Sequence, residues 1–204
     1  METTKVDVRD KWGNTPLHLA IPSLAYNILD LVRSLLQIGA DPNLANDEGS
    51  TPMHLICKRR CFDRLGQLFW RISDEMGKPV RVDARDKTGK TPLHYALEYH
   101  HHEMVELPLR NGTDPNAEGL NLPFLISKTH FYPSVAKTFF KICAELDLRV
   151  RVDAKDESGR TPLRWAVTRL SPNIVDVLLD NGADLSSFVF PTESDFAEKL
   201  AAPR

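Results

Sequence analysis

The chain has 204 residues, 42% hydrophobic and 26% charged, which are ordinary proportions for a folded, water-exposed protein. Its 26 basic and 28 acidic residues leave a formal charge of −2, which argues against the basic balance of a nucleic-acid binder. No apolar run approaches the ~20 residues that cross a bilayer, and the polar, mixed-charge first ten residues do not read as a secretory signal.

The first recurring element opens at Asp10, with Gly13 three residues on and Thr15-Pro16-Leu17-His18 after it. Thr at an N-cap accepts from an orphan backbone N–H, and Pro at the first helical position has a φ already suited to a helix. His18 falls where a capping box places Glu or Gln, so a polar ring is expected to act there. A short apolar helix follows, then a second amphipathic stretch ending at Gly39-Ala40-Asp41-Pro42-Asn43, where Gly signals a C-cap. The pattern returns at Asn46, Gly49 and Thr51-Pro52-Met53-His54, and here the second helix is longer, Phe62–Glu75. It returns again at Asp86, Gly89 and Thr91-Pro92-Leu93-His94, and at Asp156, Gly159 and Thr161-Pro162-Leu163-Arg164.

The gap of 70 residues between Thr91 and Thr161 conceals one more start. Shifting the chain by 70 aligns Asn46–Asp114 with Asn116–Asp184, and Val80–Ala84 with the identical Val150–Ala154. The concealed start is Glu118–Phe124, with Asn121 as the cap and Pro133–Glu145 as the second helix. The true period is therefore a pair of unlike repeats. The boundaries are approximately 6–43, 44–81, 82–116, 117–151 and 152–185, in a single domain spanning 1–204. A capping box at Thr192 and Asp195 marks a C-terminal capping helix within 186–204, which would give the array a polar end.

These residues resemble ankyrin repeats, over roughly residues 6–185: Thr-Pro-Leu-His and Gly-Ala-Asp-Pro-Asn recur together at the spacing of that family. The resemblance implies an all-α repeat fold, a solenoid of about five helix-turn-helix units with projecting β-hairpin or turn fingers. It also implies protein binding through the finger tips and the exposed side of the first helices, which line a concave groove. Three departures stand out. The fourth repeat lacks Thr-Pro-Leu-His and its finger is three residues short, so it should be stunted. Pro108 falls inside a second helix, where a lost hydrogen bond and a ring clash should kink or shorten it around Met104–Pro108. Arg164 replaces the capping histidine, so that cap must differ.

By the family pattern, partner contacts come from residues flanking each finger Gly and from the residue after Thr-Pro-Leu-His. The aromatic candidates are Trp12, Tyr95 and Trp165, each a large surface with a polar handle. Trp12 either folds onto its own hairpin or meets a partner. Tyr95 and Trp165, 70 residues apart, either pack as semi-buried aromatics or share a ligand surface. The basic candidates are Arg9, Lys11, Arg85, Lys87, Lys90, Lys155 and Arg160, extended by Lys58 and Arg59. They predict a groove more positive than the whole molecule and suited to an acidic partner segment, against the alternative of a solvated edge.

The three cysteines, Cys57, Cys61 and Cys143, form no Cys-x-x-Cys pair, which suits a reducing intracellular compartment, cytoplasm or nucleus. His54, Cys57 and Cys61 share a helical side but lack a fourth ligand for zinc, so no metal is expected. The run His100–His102 lies in a turn and cannot face one metal from a regular helix. No nucleophile stands beside a base, and there is no Gly-rich phosphate loop. The chain is therefore expected to be no enzyme, to hold no cofactor, to be monomeric when free and to bind another protein. Alternatives are an inhibitor resembling the ankyrin proteins that mask transcription factors, or a substrate-recruiting or spacer arm of a larger protein.

Overall fold

Four helix pairs begin where a turn hands the chain to a Thr-Pro cap. Thr15, Thr51, Thr91 and Thr161 hold extended backbone, and proline follows at the start of the helix. In the first three, histidine completes a reciprocal capping box. The backbone N–H of the threonine donates to Nδ1 of His18 (3.2 Å), His54 (3.1 Å) or His94 (2.9 Å). The imidazole thus does what a Glu or Gln side chain does in other capping boxes. In the fourth, the Thr161 hydroxyl accepts from the Arg164 N–H at 3.3 Å, and no ring is present to return the bond.

The computed structural model describes residues 6–23, 25–59, 64–116, 133–156, 158–186 and 188–192. These fall into two compact units, Met1–Thr113 and Asp114–Arg204. In the first, the helices are α1 (Pro16–Ala20), α2 (Ile28–Gln37), α3 (Pro52–Lys58), α4 (Leu65–Glu75), α5 (Pro92–Glu98) and α6 (His102–Arg110). Each pair folds on itself, α1 on α2, α3 on α4 and α5 on α6. The first helices α1, α3 and α5 stack as one layer, and α2 stacks on α4 behind them. The core between the layers is continuous from Leu17, Ile21 and Leu36 through Met53, Ile56 and Phe69 to Leu93, Leu97 and Leu109, all essentially inaccessible. Burying each such side chain stabilises the stack by about 1.5–3 kcal/mol. Gly66 lets α4 approach α6, since a Cβ there would collide with the Met104 thioether.

In the second unit the helices are α7 (Pro133–Glu145), α8 (Pro162–Thr168) and α9 (Pro172–Asp180). Helix α8 pairs with α9, and α9 packs on α7. Their shared core holds Val135, Phe139, Leu163, Ala166, Ile174 and Leu178. The second helices run 10 residues in α2, 11 in α4, nine in α6, 13 in α7 and nine in α9, so the expected alternation is clear at α7 and slight at α4, whose expected start at Phe62 lies outside the described residues.

Pro108 does not shorten its helix. α6 runs two residues past it, to Arg110, and matches α9 in length. The ring is buried, and the Pro108 carbonyl accepts from Asn111 N and Thr113 N, both at 3.1 Å, to close the C-terminus. Packing of the apolar face outweighs one missing ladder bond. Among the described residues no strand forms. The fingers are turns joined by backbone bonds, Asp47 N to Trp12 O at 3.0 Å and Lys87 N to Glu48 O at 2.9 Å. The concealed start with Asn121, the shortened finger beside it, and residues 193–204 of the C-terminal capping segment lie outside the described residues.

Candidate functional site

Each of the four described fingers is built on one side-chain oxygen. The first residue of each turn accepts from two later backbone N–H groups. Asp10 takes those of Trp12 and Asn14, Asn46 those of Glu48 and Ser50, Asp86 those of Thr88 and Lys90, and Asp156 those of Ser158 and Arg160, at 2.8–3.1 Å. This is why Asp or Asn opens each turn. In the first unit neighbouring fingers touch. Gly49, at φ 74°, lies so close to the third finger that a Cβ would sit 2.9 Å from Lys87 N.

Two fingers carry an addition that the motif alone does not show. Tyr95 Oη donates to Asp86 Oδ2 at 2.5 Å, and Trp165 Nε1 donates to Asp156 Oδ2 at 2.9 Å. The residue after the helix start thus ties its own finger to the first helix. Burial alone would raise the Asp86 carboxyl. The bonds from Tyr95, from the Thr88 hydroxyl and from the Thr88 and Lys90 amides outweigh burial and hold it at about 2. Asp156 is lowered in the same way: burial acts against the shift, while Trp165 and Arg160 favour it. Tyr95 moves the opposite way, pushed up to about 12 by burial and by donating to Asp86. The 9-residue spacing of Asp86 to Tyr95 and Asp156 to Trp165 is the signal in the sequence that marks this lock.

The candidate residues separate into different roles. Trp12 is 60% exposed at its tip, with Lys11 Nζ 4.2 Å from the ring centre, so it is presented rather than folded away. Leu19, the residue after the first helix start, is 58% exposed on α1. Lys87, Arg85 and Lys155 are exposed at finger positions. Tyr95 is only 8% exposed. Its ring serves as a platform for Lys58 Nζ at 4.1 Å and Lys90 Nζ at 5.1 Å, and Lys90 also pairs with Glu98 at 2.6 Å. Trp165 is half-buried under Arg160 at 4.2 Å and Arg169 at 5.4 Å.

Two candidates hold the scaffold together. Arg59 is buried and donates to the carbonyls of Ile21 and Ser23, pinning the loop after α1 to the end of α3. Arg9, though exposed, donates to Gly13 O at 3.1 Å and to Ala45 O at 2.7 Å, linking the first finger to the second repeat. The expected positive surface is also offset in the first unit by the exposed Asp47, Glu48 and Glu98.

The remaining polar clusters have structural work. His54 accepts the Thr51 N–H on Nδ1 and places Nε2 3.1 Å from Lys90 O, so both ring nitrogens are engaged. Cys57 is fully buried, and burial pushes its thiol up. Cys143 is buried, with its thiol pushed up to about 12. Cys61 lies outside the described residues. Among the described residues no group of three or more His, Cys, Asp or Glu is arranged to hold a metal, and no helix is long and apolar enough to cross a membrane.

Comparison with known proteins places this architecture. A family model for ankyrin repeats (3 copies) matches residues 23–119, and a single ankyrin-repeat model matches residues 158–187. Human Inversin is 27% identical over 84% of the chain, which spans 19% of that protein. The mouse B-cell lymphoma 3 protein homolog is 30% identical over 93% of the chain, which spans 33% of it. Human NF-kappa-B inhibitor alpha is 34% identical over 51% of the chain and 32% of its own length. The chain therefore spans a third or less of these relatives. Among solved structures, the ankyrin repeat domain of Bcl-3, described as a member of the IkappaB family, superposes with a TM-score of 0.72 at 25% identity. That match covers 89% of this chain and 76% of the Bcl-3 chain. With both family models together matching more than half of its length and the same helical stack in a solved relative, the chain belongs to the ankyrin-repeat family, an all-α solenoid fold whose repeats are protein-interaction modules.

Proposed function

We propose that the chain is a non-catalytic scaffold that binds a partner protein through its finger tips and the exposed sides of its first helices. The observation that carries this reading is the exposure of two large apolar side chains, Trp12 on the first finger and Leu19 on the first helix. Both stand on a finger and helix fixed by the Asp10 turn, the Thr15–His18 cap and the Asp47–Trp12 backbone bond. An exposed aromatic on a preorganised support binds without a large ordering cost. The remaining contacts are Lys11, Lys58, Arg85, Lys87, Lys90, Lys155, Arg160 and the half-buried Trp165, a predominantly basic set suited to an acidic partner segment. The array acts as one recognition domain over residues 1–204, monomeric when free and intracellular.

The test uses peptides selected from a displayed library on the wild-type chain. Trp12→Ala with Leu19→Ser should weaken their binding at least tenfold while the thermal unfolding curve stays unchanged. Equal binding by the double variant sinks the reading.

A second reading is favoured by the likeness to NF-kappa-B inhibitor alpha and to Bcl-3: the chain masks a transcription factor. Retention of purified NF-kappa-B on the immobilised chain supports it, and no retention rejects it. A further alternative is a substrate-recruiting or spacer arm of a larger protein.

A further inference from the structure

We propose that Asn111–Gly112 and Asn181–Gly182 are modification sites, where each asparagine converts to aspartate or isoaspartate once the end of its helix opens. They are the two Asn-Gly bonds of the sequence and stand 70 residues apart, at the ends of α6 and α9. The chemistry needs only water. The glycine backbone nitrogen loses its proton and attacks the asparagine side-chain carbonyl carbon. The bond from that carbon to the amide nitrogen breaks, and ammonia leaves. Water then opens the succinimide ring at either carbonyl, giving aspartate or isoaspartate. Glycine in the second place has no side chain to hinder the attack, which makes Asn-Gly an especially reactive pair.

The fold holds both pairs closed in the same way. Asn111 and Asn181 have nearly identical backbone, φ −107° and −106° with ψ 25° and 20°. Each side-chain amide turns back along its helix, Asn111 Nδ2 donating to Leu107 O at 2.8 Å and Asn181 Nδ2 to Val177 O at 2.7 Å. Each glycine N–H, the nucleophile of the reaction, donates to a helix carbonyl, Leu109 O at 3.2 Å or Leu179 O at 3.0 Å. Both bonds must break before the nitrogen reaches the side-chain carbon. All four residues are exposed, so the bonds rather than burial provide the restraint. The glycines take left-handed backbone, φ 91° and 89°, which ends the helix. The residue that closes the helix is therefore also the reactive neighbour. The ends of α2 and α4 close with the same turn at Ile38–Gly39 and Met76–Gly77, which lack the side-chain amide and cannot react. The products cannot rebuild the native cap. Aspartate has no donor for Leu107 O or Val177 O and adds a negative charge at the negative end of the helix. Isoaspartate lengthens the backbone by one carbon. A single opening thus leaves a lastingly weakened repeat.

The full chain is incubated at mildly alkaline pH, folded and in urea. Its tryptic peptides are sequenced by mass spectrometry for the one-dalton gain, with enzymatic methylation marking isoaspartate. Asn116 and Asn173, followed by Ala117 and Ile174, are references within the same two peptides. In urea both Asn-Gly sites should convert at least tenfold faster than these references and at least tenfold faster than in the folded chain. At sub-denaturing urea their rates should rise in step with hydrogen exchange at the Gly112 and Gly182 amides, since both reactions need the same bond opened. Asn111→Asp and Asn181→Asp should each unfold at lower urea than wild type. Equal rates in the folded and unfolded chain, no excess over the references in urea, or conversion that does not follow amide exchange each overturn the proposal. Unchanged urea midpoints in both variants overturn the lasting weakening.

Discussion

Acidification from about pH 8 to about pH 5.5 should destabilise the first unit through its capping histidines. His18 Nδ1 accepts the Thr15 N–H, and Nε2 lies 2.9 Å from the Ser50 carbonyl, so the ring must be neutral with its proton on Nε2. His54 repeats this between Thr51 and Lys90. Burial pushes both imidazoles below 6.5. Arg9 adds to the shift at His18 while Asp10 and Asp7 oppose it, and Lys58 adds to it at His54 while Asp86 opposes it. The folded chain therefore binds fewer protons than the unfolded chain as pH falls through 6.5. The stabilisation is complete above 6.5 and is lost toward the lower folded values. Each ring contributes a slope of at most ~1.4 kcal/mol per pH unit, so the two together cost up to about 3 kcal/mol one unit below 6.5. That is a large part of the ~5–15 kcal/mol typical of a domain. The depressed carboxyls Asp10, Asp86 and Asp156 do not interfere, since their losses begin only near 3.8. The assay is urea unfolding by far-UV circular dichroism across this range, in wild type and in a His18→Gln, His54→Gln double variant. Glutamine keeps an acceptor for the threonine N–H but cannot be protonated, so the pH dependence should flatten. An equal loss in both proteins refutes the reasoning.

Three substitutions probe other parts of the scaffold. Tyr95→Phe removes the hydroxyl donor to Asp86 and should cost about 1–2 kcal/mol in urea unfolding. It should also raise the Asp86 carboxyl from about 2, moving acid unfolding to higher pH, because that stabilisation is present above 3.8 and lost below it. Leu170→Gly should stabilise by about 1 kcal/mol, since Leu170 holds φ 55° while 70% exposed and has little packing to lose. Gly49→Ala should destabilise by at least ~1 kcal/mol and speed hydrogen exchange at the Lys87 amide, because φ is 74° and the added methyl meets that nitrogen.

What could be read in the sequence was whatever is decided within a few residues. Thr15-Pro16 starts a helix through the cap and the fixed proline φ, Asp10 opens a turn because its carboxylate reaches amides two and four residues on, and His18 completes the capping box. The decisions that failed or stayed open are made by groups far along the chain. Arg59 ends a helix beside Lys58 and looks solvent-facing in one dimension, yet the carbonyls of Ile21 and Ser23, 38 and 36 residues earlier, draw it inside. Arg9 is diverted in the same way by Ala45 O, 36 residues later. At Pro108 a local rule favoured a shortened helix, and the burial of Met104, Val105 and Leu109 on the same face outweighed it. A long flexible side chain has no sequence signature for the direction it turns, because that depends on which unsatisfied carbonyl the stacked neighbour brings near.

The 70-residue pairing of repeats carries the same division between fixed and variable parts. His100 and Leu170, 70 residues apart, both take left-handed backbone after a first helix. Phe69 and Phe139 are both fully buried at the same interval. Asp86–Tyr95 and Asp156–Trp165 repeat the finger lock with a different aromatic donor. The lock is constant while the cations over the ring differ, lysines at one copy, with Lys90 paired to Glu98, and arginines at the other, with Arg160 paired to Asp156. A side chain that moves while binding must surrender rotamer freedom, so contacts on an anchored ring gain affinity that the same contacts on a loose loop would lose. Fixing the ring through a finger aspartate leaves the surrounding cations able to differ between copies, and that is how one repeated brick can present two chemically distinct surfaces.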